Sequence, residues 1–354
     1  MKIKKKIVFL TGTRADFGKL RPLIEITENS DEFECHIFVT GMHTLSRYDF
    51  TYREVEKRGY KNIFVFMNET EGDNTDIILS NTIRGFSEYI RDISPDMIVI
   101  HGDRLEALAG AIVGSFNNIL VSHIEGGELT GTIDESIRHA VSKLSHIHFV
   151  SNDDAKKRLI QMGEIEERIF VIGSPDIDIM MKKDLPTKEE LMEYYDINFE
   201  KYAILIFHPV TTELEYLENQ TTEMVGAVID SKRNYVVIYP NNDPGSDIIM
   251  KAYGKLENNQ NFKIYPSLRF EYFLTLLKNA DFIIGNSSSG ITEAEIYNIP
   301  TINLGSRQKN RTSNNNIINI ENQKDEILDA IVKVDDMEIK SSFSFGDGKS
   351  TNRF

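Results

Sequence analysis

The sequence has almost no cysteine: Cys35 stands alone among 354 residues. An intrachain disulfide is excluded, as is cysteine ligation of zinc, and a single thiol fits a reducing compartment. Cys35 lies in an apolar, strand-like stretch, so a buried and inert thiol is expected. Basic residues are also scarce, 40 Lys and Arg against 55 Asp and Glu, for a formal charge of −15. With no long basic face, neither nucleic acid nor an anionic membrane is an expected partner, whereas a small anionic ligand needs only a few local cations. Apolar runs are short, and none approaches transmembrane length. The Lys-rich start resembles a secretory signal, but its apolar run breaks at Thr11-Gly12-Thr13-Arg14 and reads better as a first buried strand. A cytoplasmic protein is expected. There is no Walker A or GxGxxG fingerprint, no internal repeat, and no HxxxH or HExxH spacing, so neither a metal nor a nicotinamide cofactor is expected.

What is present is alternation. Apolar runs at 6–11, 34–40, 62–66, 96–100, 119–123, 147–151 and 169–172 are separated by stretches of helical spacing, among them 75–93, 104–117, 134–145 and 153–162. Such alternation predicts a parallel sheet with helices on both faces. Turn residues at Gly173-Ser174-Pro175 and a charged stretch at 182–186 mark a seam. Apolar runs then restart at 202–207, 235–239, 262–265, 281–284 and 300–303. The expected fold class is α/β: two Rossmann-like doubly wound domains, 1–174 and 175–340, facing across a cleft. Open sheets of this kind bind ligands at the carboxyl ends of their strands.

Four groups of residues carry chemistry. Gly12-Thr13-Arg14-Ala15-Asp16-Phe17-Gly18-Lys19 follows the first strand and enters a helix, whose unpaired N–H groups suit an anion, with Arg14 as an added donor. Its bland alternative is an ordinary strand-to-helix turn. Gly285-Asn286-Ser287-Ser288-Ser289-Gly290 runs from an apolar strand into a helix bearing Glu293. Small residues there let a backbone approach a pyrophosphate, which asks more of the segment than a serine cap would. His208 stands at the carboxyl end of the second domain's first strand, where it can touch or protonate a phosphate. Lastly, His101, Asp103, His123, Glu125 and Asp134 crowd the ends of two central strands and the loop beyond. Asp103 and Asp134 also suit helix caps. Several acids converging on one sheet edge suit proton transfer.

Together with TGMH (40–43), HGDR (101–104), HIEGGE (123–128), GTIDESIRHA (131–140), HPVTTE (208–213), YPNNDPGS (239–246) and NLGSRQKNR (303–311), these segments lie in order over nearly the whole chain. The chain resembles the hydrolysing UDP-N-acetylglucosamine 2-epimerases, the bacterial enzymes that begin sialic-acid synthesis. The resemblance implies a GT-B arrangement and a UDP-sugar substrate whose UDP is held mainly by the second domain. Arg14, Ser287, Ser288, Glu293, Arg307 and His208 would contact the UDP part, with Phe273 an apolar face for uracil. Asp103, Glu125 and Asp134, with His208, would form the catalytic set, and His123 and Arg138 would lie near the sugar. Non-hydrolysing relatives carry a glutamine-bearing loop after TG; this chain has Met42-His43, which points to the hydrolysing branch. The reaction implied is loss of UDP to a glycal, then rehydration with inversion at C2. The family also implies a homodimer or dimer of dimers, a tail (341–354) returning to the first domain, and a closing helix beyond it. Alternatives are the same reaction on UDP-2,4-diacetamido-2,4,6-trideoxyglucose, as in legionaminic-acid pathways, a GT-B glycosyltransferase, and a non-catalytic UDP-sugar-binding protein.

Overall fold

The computed structural model describes residues 3–70, 72–130, 133–182, 184–308, 315–339 and 345–354. Gly131 and Thr132 of the acid-rich segment, 309–311 of the NLGSRQKNR segment and 341–344 of the tail lie outside the described residues. Two compact units result: Met1–Glu128, Asp134–Met181 and Ser344–Phe354 form the first, and Leu129–Ile133 with Lys182–Phe343 the second.

In the first unit, β1 (Lys5–Thr11), β2 (Phe33–Val39), β3 (Ile63–Val65), β4 (Met97–His101), β5 (Leu120–Ile124), β6 (Ile147–Val150) and β7 (Ile169–Val171) are all parallel, in the order β3-β2-β1-β4-β5-β6-β7. The helices are α1 (Arg14–Glu28), α2 (Tyr52–Lys57), α3 (Thr75–Ile93), α4 (Leu105–Phe116), α5 (Ile133–Lys143), α6 (Asp153–Gln161) and α7 (Pro175–Met180). Side chains alternate across a strand, so β1 serves both faces. Val8 and Leu10 join a core with Phe86 of α3 and Ala107 and Ala111 of α4, while Ile7 and Phe9 join Leu20, Leu23 and Ile24 of α1. Chain order reverses between β1 and β4, which sends Gly12 and Asp103 off adjacent strands at the same edge.

The second unit repeats the plan with α8 (Lys188–Tyr194), β8 (Ala203–Ile206), α9 (Leu214–Asp230), β9 (Tyr235–Ile238), α10 (Ser246–Tyr253), β10 (Phe262–Tyr265), α11 (Phe270–Lys278), β11 (Ile283–Gly285), α12 (Glu293–Tyr297), β12 (Thr301–Leu304), β13 (Ile317–Ile320) and α13 (Lys324–Lys333). Its parallel sheet runs β10-β9-β8-β11-β12-β13. Leu205 and Phe207 meet Met224 and Val228 of α9 on one face, and Ile204 is buried on the other. Strand β13 escaped the sequence reading because Asn319 interrupts a short apolar run at a sheet edge.

The seam falls later than the sequence suggested. Helix α7, expected to open the second domain, packs in the first unit with α1, where Lys19 Nζ lies 3.2 Å from Asp176 Oδ2. The tail contributes a last helix, α14 (Ser350–Arg353), to the same unit. Asp178 of α7 accepts from the backbone N–H groups of Ser350 at 2.8 Å and Thr351 at 2.7 Å. Ser174 N–H donates to Phe345 O at 2.7 Å, and Ser350 Oγ donates to Ser174 O at 3.0 Å.

Gly285 ends β11 at φ +132°, and a Cβ there would lie 1.8 Å from the Ile206 carbonyl oxygen. Gly285→Ala should therefore lower unfolding stability by about 3 kcal/mol or more, from steric overlap plus backbone strain. Gly163→Ala, at φ +89° with open space around it, should cost only about 1–2 kcal/mol. Urea midpoints measure both, and an unchanged midpoint for Gly285→Ala would contradict this pairing of β8 with β11.

Candidate active site

The first unit gathers ionisable side chains at the carboxyl edge of β1, β4 and β5. Glu125 follows β5 in a left-handed turn, φ +60°, unusual for a residue with a side chain. The turn is held from both ends: Glu125 N–H donates to Phe149 O at 2.9 Å, and Arg138 Nη1 donates to Glu125 O at 2.7 Å. The buried Glu125 carboxylate has three partners. Its Oε2 lies 3.0 Å from His101 Nε2 and 3.8 Å from Lys19 Nζ, and its Oε1 accepts from Ser174 Oγ. Burial opposes its charge, but Lys19, His101 and the Ser174 hydroxyl outweigh burial and hold the group well below the usual glutamate range. The His101 ring also reaches Asp16, with Nδ1 3.1 Å from Oδ1. Burial disfavours the imidazolium, yet Glu125 and Asp16 overcome it and lift His101 to about 9. At neutral pH this is an imidazolium between two carboxylates.

Asp103 and Arg138 form a second pair beside the first, through Arg138 Nη2 and Asp103 Oδ2. Asp103 was also a candidate cap for α4. That cap position falls instead to Arg104, with no side-chain bond, and Asp103 is turned towards α5. Asp134 is half-buried in the first turn of α5. His123 departs from expectation. It is 0% exposed, Nε2 lies 2.8 Å from the Gly102 carbonyl and Nδ1 lies 3.0 Å from Ser142 Oγ. Burial drops its pKa to about 3, so a neutral ring holds Gly102 in place beside Asp103 and offers no atom to a sugar. Gly126 makes room for it, since a Cβ there would lie 2.8 Å from His123 Nδ1.

The turn after β1 also differs from an open anion site. Gly12 N–H donates to Asp16 Oδ2 at 3.0 Å, and Thr13 caps α1 by accepting from Asp16 N–H at 3.0 Å. Glu106, 2% exposed, fills the space beside Gly12 and Gly41, where added Cβ atoms would meet its side chain at 2.6 Å and 2.3 Å. The chain's own carboxylates thus answer the helix end. Arg14 pairs with Glu54 at 2.6 Å.

In the second unit a different chemistry is assembled. The hub is Asn286, buried after β11: its Oδ1 accepts from His208 N–H at 2.7 Å and its Nδ2 donates to His208 O at 2.8 Å. The Asn286 carbonyl accepts from Gln308 Nε2 at 3.1 Å and Arg307 Nη1 at 3.4 Å. One residue therefore ties together the loops after β8, β11 and β12, its side-chain amide holding His208 and its backbone carbonyl holding Arg307 and Gln308. His208 Nδ1 accepts the Asn241 N–H at 3.0 Å, so the neutral ring carries its proton on Nε2. Ser287 accepts from Ser289 N–H at 3.3 Å and begins a 3-10 turn, Ser288–Gly290, with Ser287 and Ser288 half-buried. The expected helix is this turn followed by the five-residue α12, so backbone N–H groups rather than a macrodipole are what the segment offers. Glu293 opens α12, buried and accepting from Thr292 Oγ1. Phe273, at 8% exposed, is a core residue of α11 with little ring left for a base.

Lys19, Ser174 and Asn286 were absent from the expected site, and His101 stood in the expected acid group without a role. His101 sat in a quoted motif, but only folding shows it between two acids. Asn286 was visible inside GNSSSG, where the serines drew attention away from it. Among the described residues no group of three or more His, Cys, Asp or Glu is arranged to hold a metal ion, and no helix is long and apolar enough to cross a membrane.

Two doubly wound parallel sheets with polar groups at their carboxyl edges define a two-domain Rossmann-like α/β protein. The solved UDP-N-acetylglucosamine 2-epimerase of Methanocaldococcus jannaschii, in complex with UDP-GlcNAc and UDP, shares this fold with a TM-score of 0.84 at 23% identity over 98% of each chain. In sequence, the UDP-N-acetylglucosamine 2-epimerase family profile matches residues 25–354. The chain is 48% identical to the UDP-N-acetylglucosamine 2-epimerase of Neisseria meningitidis serogroup B, covering 99% of this chain and 94% of that one. It is 35% identical, with the same coverage, to the hydrolyzing UDP-N,N'-diacetylbacillosamine 2-epimerase of Legionella pneumophila. The chain belongs to the UDP-N-acetylglucosamine 2-epimerase family, and is an enzyme of that kind.

The imidazolium between Asp16 and Glu125 makes stability depend on pH. His101 is lifted to about 9 in the folded chain from an ordinary 6.5, so its contribution is complete below about pH 6.5 and is lost as pH rises through 9. Glu125 is shifted down from 4.5, and its contribution is lost only as pH falls below that value. The difference in melting temperature between the native chain and His101→Gln should be widest between about pH 4.5 and 6.5 and shrink towards pH 9. Thermal scans across that range test it; a gap that is flat or grows with pH contradicts the pairing.

Proposed function

We propose that the chain is a hydrolysing UDP-N-acetylglucosamine 2-epimerase, converting UDP-N-acetylglucosamine and water to N-acetylmannosamine and UDP, the first step of sialic-acid synthesis. The observation that carries this is the buried group of Glu125, His101, Lys19, Asp103 and Arg138, in a chain 48% identical to a protein named for that epimerisation. The hydrolysing assignment draws support from relatives named as hydrolyzing, at 35% and 34% identity. Those two act by name on diacetylbacillosamine nucleotides, which is the second reading of the substrate. The higher identity to a UDP-N-acetylglucosamine enzyme favours the first.

The chemical difficulty is the weakly acidic C2 hydrogen. Breaking the C1–oxygen bond to UDP builds positive charge at C1 and acidifies its neighbour. In the second unit His208, with Nε2–H as its donor, Arg307 and the N–H groups of the Ser287–Ser288 turn would receive the diphosphate and stabilise its charge. The acids of the first unit would then move protons: one takes hydrogen from C2 to give the glycal, one activates water for C1, and one returns a proton to the other face of C2. Asp103, Glu125 and Asp134 are the three carboxylates for these positions. Arg138, joining Asp103 to the Glu125 backbone, holds two of them in fixed relation.

Asp103→Asn, Glu125→Gln and Asp134→Asn should each lower kcat by about 100-fold or more while UDP still binds. Turnover in heavy water should place deuterium at C2 of the product. A glycosyltransferase would leave C2 unlabelled, and a binding protein would leave the donor intact; either result overturns the proposal. Supplying the diacetamido donor beside UDP-N-acetylglucosamine decides the substrate. Asn286→Ala should weaken UDP binding about tenfold, since it removes both side-chain hydrogen bonds that hold the His208 backbone; titration calorimetry measures it.

A further inference from the structure

The proposed reaction needs a proton held ready for C2, and Glu125 cannot hold it at rest. Its carboxylate is ionised, with Ser174 Oγ on one oxygen and Lys19 and His101 on the other. The nearest cationic proton donor to it is the neighbouring ring. His101 Nε2 lies 3.0 Å from Glu125 Oε2, and on the far side Nδ1 lies 3.1 Å from Asp16 Oδ1. Asp16 is itself anchored by the Gly12 N–H at 3.0 Å, so it is a fixed backstop for the ring. The side chains of all three are mostly buried, His101 10% exposed, Glu125 8% and Asp16 12%. Other charged groups around them are Lys19 of α1, which also meets Asp176 of α7 at 3.2 Å, and Arg138 of α5 on the Glu125 carbonyl. His123, on β5, lies near enough for the His101 charge to help keep it neutral.

We propose that Asp16, His101 and Glu125 form a proton relay in which His101 supplies, through Glu125, the proton that the glycal takes up at C2. The inference rests on the epimerase reading above and adds a direction to it. The His101–Glu125 contact is an ion pair whose Nε2–H is not yet aligned as a hydrogen bond; in the step itself the ring turns into line, the His101 Nε2–H bond breaks as its proton passes to Glu125 Oε2, and the Glu125 proton passes to C2 of the glycal. The ring becomes neutral imidazole, keeping Nδ1–H on Asp16, while C2 gains hydrogen and C1 the positive charge that water then quenches. Solvent returns one proton to the ring before the next turnover. Glu125 is thereby the donor at C2 and not the base that abstracts, leaving abstraction to Asp103 or Asp134. His101 is a positioning residue: it touches Glu125, not the sugar. A carboxylate crowded by two cations is a poor proton acceptor and, once protonated, a strong donor, which suits it to that half of the cycle.

The relay separates the two halves of the reaction, and so does its test. His101→Gln keeps a hydrogen-bonding side chain but cannot deliver a proton. With UDP-N-acetylglucosamine it should still release UDP and form the glycal, which accumulates, while N-acetylmannosamine formation falls on the order of 100-fold with KM within about threefold. The native kcat profile should fall on its alkaline side near pH 9, where the ring loses its proton, and Asp16→Asn should move that fall to lower pH. Should His101→Gln fail to fold, seen by circular dichroism and lost UDP binding, the Asp16→Asn profile decides alone. Product formation by His101→Gln at the native rate, loss of glycal formation along with product in a folded variant, or an unmoved alkaline limb in Asp16→Asn overturns the relay. A native protein that consumes no UDP-sugar overturns instead the epimerase reading on which the relay rests.

Discussion

The first unit is organised around one interaction, the pairing of the Glu125 carboxylate with Lys19 and His101. An ionised carboxylate out of water costs several kcal/mol unless charge and hydrogen bonds surround it. Meeting that demand brings four pieces of chain together: α1 provides Lys19 and Asp16, the end of β4 provides His101, the turn after β5 provides Glu125, and Ser174 comes from just before α7. Much of the unit's layout follows. Helix α7 belongs with this unit because Asp176 shares Lys19, and the tail packs here because Ser174 and Asp178 give it its hydrogen bonds. The left-handed backbone at Glu125 is sustained only because Phe149 and Arg138 grip both of its peptide groups.

The second unit solves a different problem by different means. Where the first unit balances formal charges, the second uses Asn286, through its neutral side-chain amide and its backbone carbonyl, to bind three loops into one edge. A neutral hub leaves the positive charge at that edge to Arg307, with the His208 ring as a neutral donor beside it, which suits the proposed diphosphate. By contrast, the Gly12 turn of the first unit looks similar in sequence but is filled by Asp16 and Glu106, which would repel the same group. The two glycine turns are therefore not equivalent, and the sign of the nearest side chains distinguishes them.

The chain belongs to a family of one reaction type, and the proposed reading divides the work into leaving-group stabilisation and proton movement. Relatives of the chain are named for an acetylated and for a diacetylated amino sugar, so the family spans more than one sugar.

Strand and helix succession, the parallel sheets and the presence of acids at strand ends were legible in the sequence, because each is a local pattern: short apolar runs, helical spacing, and polar residues directly after strands. Family membership was legible for the same reason, since its motifs are contiguous. Edge strand β13, with Asn319 inside it, and the placement of α7 were not, because what stabilises them is a neighbour distant in sequence. Partnership also lay beyond the sequence. Whether His123 faces a ligand or Gly102, whether Asp103 caps a helix or pairs with Arg138, and whether His101 is bystander or imidazolium depend on which atoms meet within about 3 Å, where hydrogen bonds and ion pairs act. Composition and pattern determined what kinds of groups this chain carries; only the tertiary structure decided which of them share a proton.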